Sequence, residues 1–190
     1  MGRGLVLGVG INDSPSHHGC QLYSRWKGVL RRCHSKNGDV PDSYKGCRVV
    51  DEWLRFSAFR AWMVEQPWQG NHLDKDILRP WEKLYCPETS VFVPQYINTL
   101  MSEKPSSLTG LPIGVVRTLR GRPYMAMIRV LGAEKVGLGV FDTAEDAHRA
   151  WAKAKSAVIA EAINRYLTTD RYDERVCAAL MDRANKLAKT

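Results

Sequence analysis

The strongest constraint on this chain is a change of period near residue 142. Upstream of it, residues 113–119, 122–130 and 135–141 alternate side chains as strands do, and Gly121 and Gly132 fall in the two gaps as turns. At the change, Asp142-Thr143-Ala144-Glu145 sets an N-cap residue three positions before a glutamate, a capping box. Downstream, Ala147, Trp151, Ala154, Val158, Ala162 and Tyr166 recur at helical spacing. The pattern predicts three short antiparallel strands and then one long helix ending near Leu167. A sheet backed by one helix buries one face and leaves the other open. Tyr124, Ala126, Ile128 and Val130 share the face expected to meet the helix; Pro123, Met125, Met127 and Arg129 share the other. Residues 172–188 predict a last helix with Val176, Leu180 and Leu187 turned inward.

The N-terminal half has a different texture. Residues 1–20 are rich in Gly, Ser and His and read as irregular, and His17 and His18 carry no weight there. Leu22, Tyr23, Trp26, Val29, Leu30 and Cys33 predict a helix over 22–34, followed by a polar loop over 35–42. Trp53, Phe56, Phe59 and Met63 predict a second helix over 49–63, ended by Pro67 and Gly70. Trp53, Phe56, Phe59 and Trp62 are expected in the core. Residues 72–101 read as strand, loop, strand and helix, and the proline-broken stretch 102–112 reads as a linker. The expected fold class is α+β. An N-terminal helical region and a strand–strand–helix module fill 1–101; the sheet, its long helix and a C-terminal helix fill 113–190.

The 190 residues, 44% of them apolar, suffice for a globular core. No run reaches the roughly 18 apolar residues of a membrane span. The start is too short and glycine-rich for a signal peptide, and Val6 stands where an acylation signal wants Ser or Thr. Five cysteines with no CxxC favour free thiols in a cytoplasmic setting over a disulfide scaffold. The spacings of Cys33, Cys47 and Cys86 lack the paired knuckles of a zinc site. The formal net charge of +8, from 28 basic and 20 acidic residues, favours a polyanion or an acidic protein as partner.

Two groups of residues carry candidate chemistry. Asp74 ends the first strand of 72–101, and Asn98 opens the helix after the second strand. A carboxylate and an amide oxygen so placed can share one hard divalent cation, Mg²⁺ or Mn²⁺. His72 shares a strand face with Asp74 by parity, whereas Lys75 falls on the face of Leu73. An imidazole suits proton transfer near neutral pH. A lysine ordinarily holds its proton to about pH 10.4 and makes a weaker base. The second group is Arg117, Arg120, Arg122, Arg129 and Lys135, set against the single acid Glu134 across 113–141. A basic three-stranded face can enter the DNA major groove.

Two resemblances bear on these groups. Gly114-Val115, Tyr124-Met125-Ala126-Met127-Ile128-Arg129 and Leu138-Gly139-Val140-Phe141-Asp142-Thr143-Ala144-Glu145-Asp146-Ala147 resemble the three-stranded DNA-binding domain of plant ethylene-response factors. Related copies occur in phage and mobile-element endonucleases. The resemblance implies that the open sheet face touches double-stranded DNA, with Arg129 and Lys135 at outward positions. Met125 and Met127 stand where polar or basic readers are common.

Trp26 to Cys33, Tyr44-Lys45-Gly46-Cys47-x-Val49, Trp53-x-x-Phe56, Leu73-Asp74-Lys75-Asp76 and Tyr85-x-Pro87-Glu88, in that order, are similar to phage-encoded HNH endonucleases. That resemblance implies a metal-dependent DNA endonuclease with Asp74 and Asn98 as metal ligands, working in the host cytoplasm. It also marks two departures. Lys75 occupies the position of the general-base histidine, leaving His72 as the alternative base. Trp81-Glu82-Lys83 stands where relatives show Gly-Asn-Lys. A relative without cleavage, binding DNA or a host protein as regulator or inhibitor, is the alternative expectation.

Overall fold

The computed structural model describes residues 4–15, 19–35, 40–100, 109–119, 121–131 and 134–190. The fold is mixed α+β and divides into two compact units, Met1–Pro94 and Gln95–Thr190. Most of the linker expected at 102–112, His17, His18, Arg120 and the Gly132 turn lie outside the described residues.

The first unit is an aromatic core under very short strands. Helix α1 (Gln21–His34) buries Trp26, Val29 and Leu30 along one stripe, and Arg31, Arg32 and His34 in its last turn complement the helix dipole. Helix α2 (Phe56–Val64) buries Phe56, Phe59 and Met63. The Trp26 indole N–H donates to the Trp53 carbonyl at 2.7 Å. Trp26 packs on Phe56 with ring centroids 5.4 Å apart, and Trp53 lies 5.1 Å from Phe59 and 4.5 Å from Trp62. The aromatic cluster read from helical spacing is therefore core.

The helix expected over 49–63 begins later, at Phe56. Ahead of it lie β1 (Arg48–Val49) and a 3-10 turn (Asp51–Leu54). The reason is a distant partner. β1 runs parallel to β3 (Leu84–Tyr85), with Arg48 N–H donating to Lys83 O and Val50 N–H to Tyr85 O. Arg55 is extended, and Ile11 bonds on both sides of it: Ile11 N–H to Leu54 O, Phe56 N–H to Ile11 O. Asp13 completes this join by capping α2 from afar. Its carboxylate accepts from Ser57 N–H and Ser57 hydroxyl, each at 2.9 Å, and from Arg55 at 3.2 Å.

Strands β2 (His72–Asp74) and β4 (Val91–Val93) pair antiparallel, His72 opposite Val93 and Asp74 opposite Val91. Thr89 tightens the turn before β4, its hydroxyl donating to Leu84 O at 2.6 Å. Pro94 then leads into α3 (Gln95–Leu100), which belongs to the second unit. Inside that unit the Arg165 guanidinium lies 4.3 Å from the Tyr96 ring centroid, joining α3 to the long helix α4 (Ala144–Leu167).

The rest of the second unit follows the period change in the sequence. β5 (Val115–Arg117), β6 (Tyr124–Arg129) and β7 (Lys135–Phe141) form one antiparallel sheet with β6 in the centre. Ala126 and Ile128 are buried, as expected of the helix-packing face. Gly114 has φ +80°, and a Cβ there would lie 2.1 Å from the Trp151 indole, so the chain enters β5 directly over that ring. His148 reinforces the contact, its Nδ1 lying 2.9 Å from Ile113 O while its ring stacks on Trp151. The cap of α4 sits one residue later than the sequence suggested. Thr143 is extended and its hydroxyl accepts the Asp146 N–H at 3.1 Å, so Thr143 takes the role expected of Asp142. Helix α5 (Glu174–Ala188) packs through Val176, Leu180 and Ala184, with Leu187 only half-buried.

Candidate nucleic-acid interface and strand site

Parity along β2 comes out as expected. Leu73 is buried, and His72 and Asp74 flank it as half-buried residues on the other face. Val91 and Val93, their cross-strand neighbours, are fully buried, so this face is largely covered. Asp74 has a defined local task. Its Oδ1 accepts the N–H of Asp76 at 2.7 Å and of Ile77 at 2.8 Å, an Asx turn that ends the strand. Burial raises the Asp74 pKa above the ordinary carboxylate value, against the pull of those two N–H groups. Both bonds land on Oδ1, so the turn does not use Oδ2.

Lys75 turns the other way. It is 3% exposed, Nζ donates to the Asp76 carboxylate at 2.5 Å and sits 5.7 Å from the Tyr85 ring centroid. The ammonium is thus engaged by the Asp76 carboxylate and the face of Tyr85. Asn98 lies half-buried on α3 in the second unit, while His72, Asp74 and Lys75 lie in the first. Among the described residues no three His, Cys, Asp or Glu side chains come together as a metal site, and all five cysteines are free thiols.

A feature not singled out from the sequence lies at the end of α1. A cavity of about 350 Å³ is lined by Arg32, Cys33, Asp42, Tyr44 and Lys45 among others. Arg32 stands 5.3 Å from the Tyr44 ring centroid and donates to the Tyr85 hydroxyl at 3.4 Å. Burial, then the neighbouring Cys47, pushes the Cys33 thiol up to about 12, and burial also raises the Tyr85 hydroxyl. Cys33 is therefore a protonated, unreactive thiol at neutral pH. These residues come from α1 and the following loops, and no periodicity links them.

Among the described residues, the four basic residues Arg117, Arg122, Arg129 and Lys135 do not act as one face. Arg129 and Lys135 are direct cross-strand partners, exposed together on the outward side. Arg117 pairs with Tyr124, which belongs to the helix-facing set, and its guanidinium lies 5.3 Å from that ring's centroid. Arg122 precedes β6 and pairs with Asp142 at 3.4 Å. The middle of the outward face is apolar: Val116, Met125 and Val140 form one cross-strand row, Met127 and Gly137 the next. The register slips between these rows, which makes Leu138 the extra residue of a bulge. Among the described residues no helix is long and apolar enough to cross a membrane. No protein-family model, curated protein or solved structure matches this chain.

Proposed function

We propose that this chain binds double-stranded DNA through its second unit and hydrolyses phosphodiester bonds at the β2 strand of its first. One observation carries the hydrolytic half: His72 and Asp74 share a face of β2, in an antiparallel pair that runs on through Pro94 into the helix bearing Asn98. His72 takes the proton of the attacking water. Asp74, with its turn-held carboxylate, offers a hard oxygen donor for one Mg²⁺ or Mn²⁺. Such a cation would neutralise charge on the phosphate and the leaving oxygen. Asn98, in the second unit, is the further ligand that the resemblance implies. Lys75 is not its base, because the ammonium is held by Asp76. The setting is the cytoplasm, where free thiols persist.

The thin donor set favours a second reading. With no cluster of three ligating side chains among the described residues and Lys75 buried, the chain binds DNA, or a host protein, as a regulator without cutting. A plasmid-relaxation assay separates the two. Cleavage predicts nicked plasmid with Mg²⁺ or Mn²⁺, none with EDTA, and none with His72→Ala, Asp74→Asn or Asn98→Ala. Asp74→Asn is preferred to alanine because the amide oxygen still accepts the turn's hydrogen bonds. Supercoiled DNA left intact under every metal, together with salt-sensitive binding, leaves only the regulator.

A further inference from the structure

The outward face of the β5–β6–β7 sheet has an unusual composition for a surface in contact with a polyanion. Its centre, Val116, Met125, Met127, Gly137 and Val140, carries no side-chain N–H or O–H. Val116 is 42% and Val140 43% exposed, so the apolar row is open rather than covered. A Cβ on Gly137 would lie 3.6 Å from the Met125 sulfur and 3.8 Å from the Met127 sulfur, so both thioethers lean over this glycine and form one shelf. Cations stand at one end of the shelf. Arg129 and Lys135 face each other across the strands, and like charges so placed repel. An anion between them removes that repulsion, which is the charge complementarity expected of a phosphate backbone.

The DNA major groove admits strands and displays one apolar group on base edges, the C5-methyl of thymine. We infer that this shelf reads thymine methyl groups in duplex DNA, with Arg129 and Lys135 holding a neighbouring phosphate. The inference rests on the proposed DNA binding and names the sequence class it selects: A·T-rich sites read by methyl contact. Guanine readout by paired hydrogen bonds has no donor in the middle of the face. Methionine suits the task, because an unbranched thioether adapts to irregular apolar surfaces.

The test uses the full chain, binding at fixed salt, and four duplex probes read by fluorescence anisotropy. These are an A·T-rich duplex, the same duplex with uracil for thymine, a G·C duplex, and that duplex with 5-methylcytosine. Removing the thymine methyls should weaken binding about fourfold for each methyl contacted. Methylating cytosine, which places a methyl at the same ring position, should strengthen binding to the G·C duplex. Met125→Gln and Met127→Gln should bring the thymine-to-uracil affinity ratio to about one. Arg129→Gln should weaken all four probes alike and reduce the salt dependence by about one phosphate contact. Equal binding of thymine and uracil duplexes overturns the inference and leaves DNA binding standing. No binding to any probe at low salt removes both. A stable dimer that dissociates on Met125→Gln gives the face to a second copy of the chain and also overturns it.

Discussion

The two units solve the problem of placing charge in opposite ways. The first draws cations inward: Lys75 is buried against Asp76 and Tyr85, and Arg32 lies against the Tyr44 ring and donates to the Tyr85 hydroxyl. The second sets Arg129 and Lys135 side by side on an open sheet face. They also differ in how they are held. The first unit's strands are two or three residues long and depend on partners far away in sequence, whereas the second unit's sheet joins consecutive strands onto the helix that follows. A short strand has too little pairing to stand alone, so the aromatic core and remote hydrogen bonds must carry the first unit.

The sharpest blow to that arrangement is Trp26→Ala. Trp26 is fully buried, touches Tyr23 and Phe56, and satisfies the Trp53 carbonyl. Truncation leaves a large cavity and an unpaired acceptor, and should lower stability by about 3–5 kcal/mol. Urea unfolding at constant m-value measures it. A loss below about 1 kcal/mol would show that the aromatic cluster is not the support of the first unit.

The inward charge gives the next test. Asp76→Ala leaves the Lys75 ammonium buried without its carboxylate and should cost about 1–3 kcal/mol, the Asp76 side chain being half exposed. Lys75→Met removes the charge and keeps the shape, and should change stability by less than about 1 kcal/mol, because buried ion pairs are often replaceable by apolar groups. Equal losses from both variants would contradict the picture of a charge tolerated rather than required. Lys75→Met also sharpens the functional reading: nicking that survives it excludes Lys75 as base.

Asp13→Ala tests the remote cap of α2 and should cost about 1–2 kcal/mol at neutral pH. Burial pulls the Asp13 carboxyl upward, but Ser57 and Arg55 outweigh it and hold the pKa below the ordinary carboxylate value. A depressed folded value means that the ionised form is favoured in the fold. This contribution is therefore full above the unfolded carboxylate pKa of about 3.9 and is lost as pH falls through the lower folded value. The gap between wild type and Asp13→Ala, followed by urea midpoint from pH 6 downward, should close from below about pH 4. A gap that does not narrow in acid would assign the effect to packing.

Legibility from sequence followed the same division. The second unit was readable because its order is local: Tyr124, Ala126 and Ile128 alternate, Trp151, Val158 and Tyr166 repeat, and the structure keeps both patterns. In the first unit α1 and the core aromatics were readable for the same reason. β1 was not, because Val49 and Val50 fit a helical stripe until Lys83 and Tyr85 supply the strand partner. The side of β2 that carries His72 and Asp74 follows from parity alone. The capture of Lys75 by Asp76 and Tyr85 does not, since it depends on where β3 lies. The apolar middle of the outward sheet face was present in Met125 and Met127. The turning of Arg117 toward Tyr124 needed the register.

The smallest test asks how local the second unit's order is. Thr143 caps α4 by accepting the Asp146 N–H, and its hydroxyl donates to the Asp146 carboxylate at 2.6 Å. Thr143→Ala should cost about 1 kcal/mol, the usual loss of one N-cap. Asp142, one residue earlier, makes an exposed pair with Arg122, so Asp142→Ala should cost about 0.5 kcal/mol or less. Thr143→Ser should restore most of the loss, because the cap needs an oxygen and not the methyl group. The three variants, compared by urea midpoint, locate the start of the helix to a single residue. If Asp142→Ala proved the costlier change, the cap would sit where the sequence pattern first placed it. The entry of β7 into α4 would then turn one residue earlier than the extended backbone of Thr143 allows.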